Sequence, residues 1–187
     1  MSAAPLPISL EHVYLNAGGV FLPGDPVDTD AIDRFIAPLN HKSKRIKSRV
    51  LRDNGIRTRH YAIDEQGTSL FSCAELAALA IRDCLKGANA TLDEVSLLCT
   101  GSTGGDLGMP GFASMVHGEL AAQPMEISSH QGVCGAGMQA LKYAAQALAL
   151  GEHQHALVAA SEFPSRMFKR SRFAPVDWAC ARTQQSN

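Results

Sequence analysis

The sequence predicts an α/β fold, with a largely parallel sheet layered against helices, on three observations. Runs of β-forming residues alternate along the chain with runs of helical periodicity. "EVSLLCTG", residues 94–101, is a short apolar run with β-formers that stops at glycine, as a buried parallel strand would. Candidate strands end at glycines or polar turns that lead into helices, the order that right-handed crossover units require.

Each element follows in turn. "EHVYLNAGGVFLPG", residues 11–24, reads as a first strand closed by a Pro-Gly turn. Residues 28–39 place Ile32, Phe35, Ile36 and Leu39 at helical spacing after an acidic start, predicting a short helix. "HKSKRIKSRVLRDNGIRTRHYAID", residues 41–64, is the one strongly basic stretch, turned in its middle by Asn54-Gly55. It reads either as a solvated face or as a landing site for a phosphate-bearing ligand or an acidic carrier protein.

A helix in "TSLFSCAELAALAIRDCLKGAN" follows from Leu70, Cys73, Leu76, Ala77, Ala80, Ile81 and Cys84 on one stripe, with a Ser/Thr-rich opening and Gly87 as its stop. The buried strand at 94–101 comes next, then the glycine-rich loop "GSTGGDLGMPGF" and a short helix in "ASMVHGEL". "PMEISSHQ" is a further strand. The helix after Cys134 carries Met138, Leu141, Ala145 and Leu148 as its apolar stripe, and "HALVAASE" is a last strand. In such sheets ligands lie beyond the carboxyl ends of the strands, where the 101–112 loop and the turn at Cys134 both fall.

Bulk properties narrow the function. The 187 residues carry 17 basic and 18 acidic side chains, a net charge of −1, so no overall field recruits nucleic acid or an anionic membrane. With 45% hydrophobic and 19% charged residues the chain can build a core. No run approaches the roughly 18 apolar residues of a membrane span, and the opening residues lack a secretory pattern, which points to the cytoplasm. Five cysteines without CxxC spacing fit neither a disulfide framework nor a zinc site. No metal is expected, at His153 and His155 included.

Cys134 stands apart from the other four. It follows a strand, has Gly132 and Gly135 nearby, and precedes a helix whose free N–H groups stabilise a thiolate and can receive an oxyanion. Cys73, Cys84, Cys99 and Cys180 lack that context and read as buried thiols. "GVCGAG" is not a dinucleotide fingerprint and "GSTGGD" is not a P-loop. "GVCGA" does approach a nucleophile elbow, so a cysteine hydrolase is an alternative, although no histidine follows His155 to complete a triad. His130 reads as structural or pocket-lining.

The stretches "NGIRTRHYAID", "EVSLLCTGSTGGDLGMPGFASMVHGEL" and "VCGAGMQALKYAAQALALGEHQHALVAASE" together resemble the amino-terminal half of β-ketoacyl-acyl-carrier-protein synthase III and its relatives in the thiolase superfamily. The likeness runs from about residue 10 to about residue 165. It implies a thiolase-like fold of two similar halves, with residues 1–187 forming the first, a βαβαβ-type half, and the carboxy-terminal half absent from this chain.

By that resemblance Cys134 takes an acyl group from acyl-CoA or an acyl carrier protein. The acyl enzyme then undergoes Claisen condensation with a malonyl thioester, in fatty acid or polyketide biosynthesis, or passes the acyl group to another acceptor. Arg57 would lie at the mouth used by CoA or carrier protein, and Met109 would reach across a homodimer to shape the partner's acyl pocket. Arg49 stands about where the family has the tryptophan that stacks on the CoA adenine. No cofactor is implied beyond these substrates. By the same resemblance, the family's histidine and its asparagine or second histidine belong to the second half. A non-catalytic half or subunit of a thiolase-like assembly is the remaining alternative.

Overall fold

A computed structural model describes residues 9–36 and 43–169, in two compact units. Pro38 and Leu39 of the helix expected at 28–39, and Cys180 and Asp177 near the end, lie outside the described residues.

The smaller unit comprises residues 24–70 and the chain from Pro164 onward. Strand β1, Val27–Asp28, pairs antiparallel with β2, Thr58–Arg59. The helix expected from residue 28 is a six-residue 3-10 helix, Thr29–Arg34, that buries only Ile32. Phe35 leaves it in a stack on Tyr61, with ring centroids 4.7 Å apart. The basic stretch holds a helix that its charge density hid, α1, Ser43–Asp53. Ile46 and Val50, four apart on one face, are exposed, and Arg49 and Arg52 pair with Asp53 at 3.7 and 3.5 Å.

The larger unit comprises the chain up to Pro23 and residues 71–163. Helix α2, Cys73–Ala88, opens with a reciprocal capping box: Ser72 Oγ accepts from the Glu75 N–H at 3.0 Å, and Glu75 Oε2 accepts from the Ser72 N–H at 2.6 Å. It runs through Gly87 and stops at Asn89, which takes the left-handed conformation at φ 50°. Gly87 therefore is not the stop that its position suggests.

Three parallel strands form the sheet in the order β4-β3-β5: β3 is Leu97–Ser102, β4 Glu126–Gln131 and β5 Ala156–Ala160. Central β3 is buried at all six residues, as expected of a strand opening on the short apolar run Leu97–Cys99. Helix α3, Phe112–Leu120, connects β3 to β4, and α4, Ala136–Ala149, connects β4 to β5. Leu97 and Cys99 face α4, in a core with Ala140, Ala144 and Ala147. Cys73 at the start of α2 meets Ser102 from the opposite face of β3, so helices cover the sheet on both sides.

Two further expectations fail. Residues 13–23 form no strand, because this segment lies along α2: a Cβ on Gly19 would stand 2.2 Å from the Cys84 nitrogen, and Val20 N–H donates to Asp83 Oδ2 at 3.0 Å. β-forming residues make a strand only where another strand offers its N–H and C=O groups, and here a helix side chain took that role. The stripe on α4 is also turned. Its buried face is Ala136, Ala140, Ala144 and Ala147, while Met138 is exposed and Leu141, Ala145 and Leu148 are half-buried. Alanines bring the helix axis closer to the strands than Met or Leu could.

Candidate active site

The chain leaves β4 at Gln131 and enters α4 at Ala136, and Cys134 occupies the turn between them. Its backbone has φ 58°, in the left-handed region that a residue with a Cβ avoids at a cost of about 1–2 kcal/mol. The flanking Gly132 and Gly135 show no positive φ, so the cysteine itself carries the strained conformation that the glycines seemed placed to carry. Strain of this kind persists only where surrounding structure imposes it, and it collects at functional turns. The thiol is exposed, and its neighbour Val133 is 80% exposed.

What imposes the turn is the seating of α4 on the sheet. A Cβ on Gly101 at the end of β3 would fall 2.5 Å from the Ala136 carbonyl carbon and 2.6 Å from the Gly137 nitrogen. A Cβ on Gly137 would fall 2.9 Å from the Ala160 side chain of β5. The first turn of α4 is thus wedged between the carboxyl ends of two strands, with Cys134 just before it. Gly135, the residue preceding the helix, offers no side-chain cap to the first N–H groups.

The glycine-rich loop beside this turn is tied down by polar contacts, most of them between residues far apart in sequence. Gly132 N–H donates to the Ser102 carbonyl at 3.4 Å, and Ser102 Oγ accepts from Gly105 N–H at 3.0 Å. Glu162 Oε1 accepts from both the N–H and the hydroxyl of Thr103, each at 2.7 Å. Gln131 Nε2 donates to the Thr103 carbonyl at 3.4 Å. Neither Glu162 nor Gln131 stands out in the sequence, since what singles them out is a meeting across 59 and 28 residues.

Met109 lies further along the same loop and is 85% exposed, so within this chain it fills no core. Arg57 belongs to the smaller unit, at the end of the turn before β2. Its carbonyl accepts from the N–H and hydroxyl of Thr29, at 3.1 and 3.0 Å, and its side chain is exposed. His130 is engaged locally: Nε2 is 3.1 Å from Ser128 Oγ, and the ring packs on Tyr143 at 5.4 Å. This agrees with its structural reading.

The other described cysteines differ from Cys134. Cys73 and Cys99 are buried, and burial pushes both thiols up, Cys99 to about 11. Cys84 is partly buried in α2. No group of three or more His, Cys, Asp or Glu side chains that could hold a metal exists among the described residues, and no helix among them is long and apolar enough to cross a membrane.

No protein-family model matches the chain. Curated relatives do. The β-ketoacyl-[acyl-carrier-protein] synthase III of Caulobacter vibrioides is 30% identical over 149 residues, which cover 80% of this chain and 42% of that protein. The enzyme of the same name from Thiobacillus denitrificans is 35% identical over 114 residues, covering 60% of this chain and 34% of that one. The chain therefore spans less than half the length of these relatives. Among solved structures, AbyA1, a tetronic acid condensing enzyme, superposes with a TM-score of 0.68 at 27% identity, over 90% of this chain and 49% of that one.

Proposed function

From a chain that is β-ketoacyl-[acyl-carrier-protein] synthase III-like in sequence and thiolase-like in fold, we propose a ketosynthase-type acyltransferase in which Cys134 is the acyl-accepting nucleophile. The observation that carries this reading is the exposed Cys134 at φ 58°, between the carboxyl end of β4 and the uncapped start of α4.

The Cys134 thiolate attacks the carbonyl carbon of an acyl thioester, supplied as acyl-CoA or on an acyl carrier protein. The negative charge of the tetrahedral intermediate falls on the carbonyl oxygen, for which the uncapped N–H groups at the start of α4 offer donors. Collapse expels the CoA or carrier thiolate and leaves the acyl group on Cys134. In the second step a carbanion from decarboxylation of a malonyl thioester attacks that acyl group, Cys134 leaves as thiolate, and a β-ketoacyl product forms. A histidine and an asparagine or second histidine, supplied by a second thiolase-like half, would assist this step.

Three surfaces support that larger assembly. Tyr14, Leu15, Val20 and Leu22 are exposed along a segment rich in β-formers. Helix α4 exposes Met138 and leaves Leu141, Ala145 and Leu148 half-buried besides its buried alanine face, apolar surface that a second layer could cover. Edge strand β4 leaves one row of backbone groups unpaired among the described strands and exposes Ile127, which suits pairing with a second copy. Met109 would then reach the partner's acyl pocket. The exposed basic residues of α1, with Arg57, would receive the phosphates of CoA or the acidic surface of a carrier protein.

The test is the intact mass of the protein after incubation with acyl-CoA. A gain of one acyl group, lost in Cys134→Ala, is expected; equal acylation of both proteins would sink the reading. Multiple turnovers of an activated ester by this chain, dependent on Cys134, would instead favour the cysteine hydrolase.

A further inference from the structure

The opposite end of the sheet holds an arrangement that acyl capture at Cys134 does not use. Where the three parallel strands begin, Ser96 precedes β3, Glu126 is the first residue of β4, and His153 precedes β5. Ser96 Oγ is 2.9 Å from His153 Nδ1, and His153 Nε2 is 3.0 Å from Glu126 Oε2. The other carboxylate oxygen of Glu126 accepts from the Tyr143 hydroxyl at 3.1 Å.

Elementary hydrogen-bond chemistry assigns the protons. A carboxylate only accepts, so Nε2 of neutral His153 carries the ring proton and donates it to Glu126. Nδ1 then presents its lone pair to Ser96, whose hydroxyl must be the donor. A nucleophile hydrogen-bonded to a base, with the base oriented by a carboxylate, is the arrangement that activates a hydroxyl.

The parts are also held in place. The His153 side chain is 11% exposed, and Tyr143 fixes the carboxylate that orients it. Ser96 is pinned through its backbone, its N–H donating to the His155 carbonyl at 3.3 Å and its carbonyl accepting from Glu126 N–H at 3.0 Å. Ser96 itself is exposed, so a reagent can reach it.

We propose that Ser96, His153 and Glu126 form a second nucleophilic site, independent of Cys134, that takes acyl groups from small activated esters at the protein surface. Ser96 Oγ attacks the ester carbonyl carbon while its proton passes to His153 Nδ1, and Glu126 stabilises the imidazolium. Collapse breaks the bond to the leaving oxygen, which takes the proton from His153, and the acyl group remains as an ester on Ser96. Water then attacks that ester, giving its proton to His153, and the carboxylic acid leaves as Ser96 regains its hydrogen.

The experiment uses the 187-residue chain with Cys134→Ala, which removes the exposed thiol, and two probes, p-nitrophenyl acetate and an alkyl fluorophosphonate. Peptide mapping should find one adduct, on Ser96, and Ser96→Ala should abolish it. His153→Gln should slow its formation by roughly 100-fold, the usual contribution of a general base, and Glu126→Gln should slow it by a smaller factor. An adduct on any other residue, or none, overturns the proposal. So does a rate that His153→Gln leaves unchanged. If His153→Gln does not fold, Glu126→Gln decides: an unchanged rate in that folded variant overturns the assignment.

Discussion

Two helices of the larger unit begin beside a cysteine, and the two thiols have opposite surroundings. Cys73 is the first residue of α2 and is buried. The two N–H groups that a thiolate would need there are already taken, since Asp106 Oδ1 accepts from Cys73 N–H at 2.7 Å and Oδ2 from Ala74 N–H at 2.9 Å. The sulfur instead lies 3.3 Å from both the carbonyl and the hydroxyl of Ser161, and burial pushes its pKa up against those hydroxyl contacts. Cys134 is exposed, strained, and followed by a helix start with no side-chain cap. A helix N-terminus therefore does not by itself make a reactive cysteine. What matters is whether its donors are unclaimed and whether a thiolate there keeps its solvation.

The strongest way to break this contrast is to unseat α4. Gly101→Val places side-chain carbons inside the backbone of Ala136 and Gly137, and should destabilise the protein by roughly 3 kcal/mol or leave it unfolded. Chemical denaturation reads this out, and a variant as stable as the parent would show that α4 is not wedged at that point.

The contrast should be nearly as large in alkylation. At neutral pH iodoacetamide should modify Cys134 at least about 100-fold faster than Cys73 or Cys99, because burial withholds both the thiolate and access. Comparable rates in peptide mapping would erase the distinction. The buried thiols also set an alkaline limit. Their folded values lie above the unfolded ones, so their contribution is complete below about 9 and is lost as pH rises toward about 11. Melting temperature should fall across that window.

Asp106→Ala removes the carboxylate from the start of α2 and should cost about 1 kcal/mol, measured as a lower denaturation midpoint with α2 still formed. The smallest effect has the opposite sign. Cys134→Gly relieves the left-handed strain and should stabilise the fold by roughly 1 kcal/mol while abolishing acylation. A neutral or destabilising result would mean that the turn stores no strain at that residue.

Some of this was readable along the chain. The short apolar run of β3 marked a buried strand, and the Ser/Thr-rich opening with its helical stripe marked α2, while the Ser72–Glu75 capping box that sets its start emerged only in the structure. The turn at Cys134 was visible as a cysteine between strand-like and helix-like patterns. Helix α1 was missed because its periodicity sits on exposed positions crowded with charge. The strand expected at 11–24 was not found because pairing depends on a neighbour that local sequence does not name.

Sequence alone determined the alternation of strands and helices and which cysteine stands at a strand-to-helix turn, because both are encoded over a few residues by side-chain periodicity and glycine placement. Tertiary structure decided the rest: that the buried stripe of α4 is alanine, that Asp106 silences the start of α2, and that Ser96, Glu126 and His153 meet. The last two depend on the fold bringing residues 27 to 57 positions apart to within hydrogen-bonding distance, and the first on which face of α4 meets the sheet; a linear pattern carries no record of such meetings.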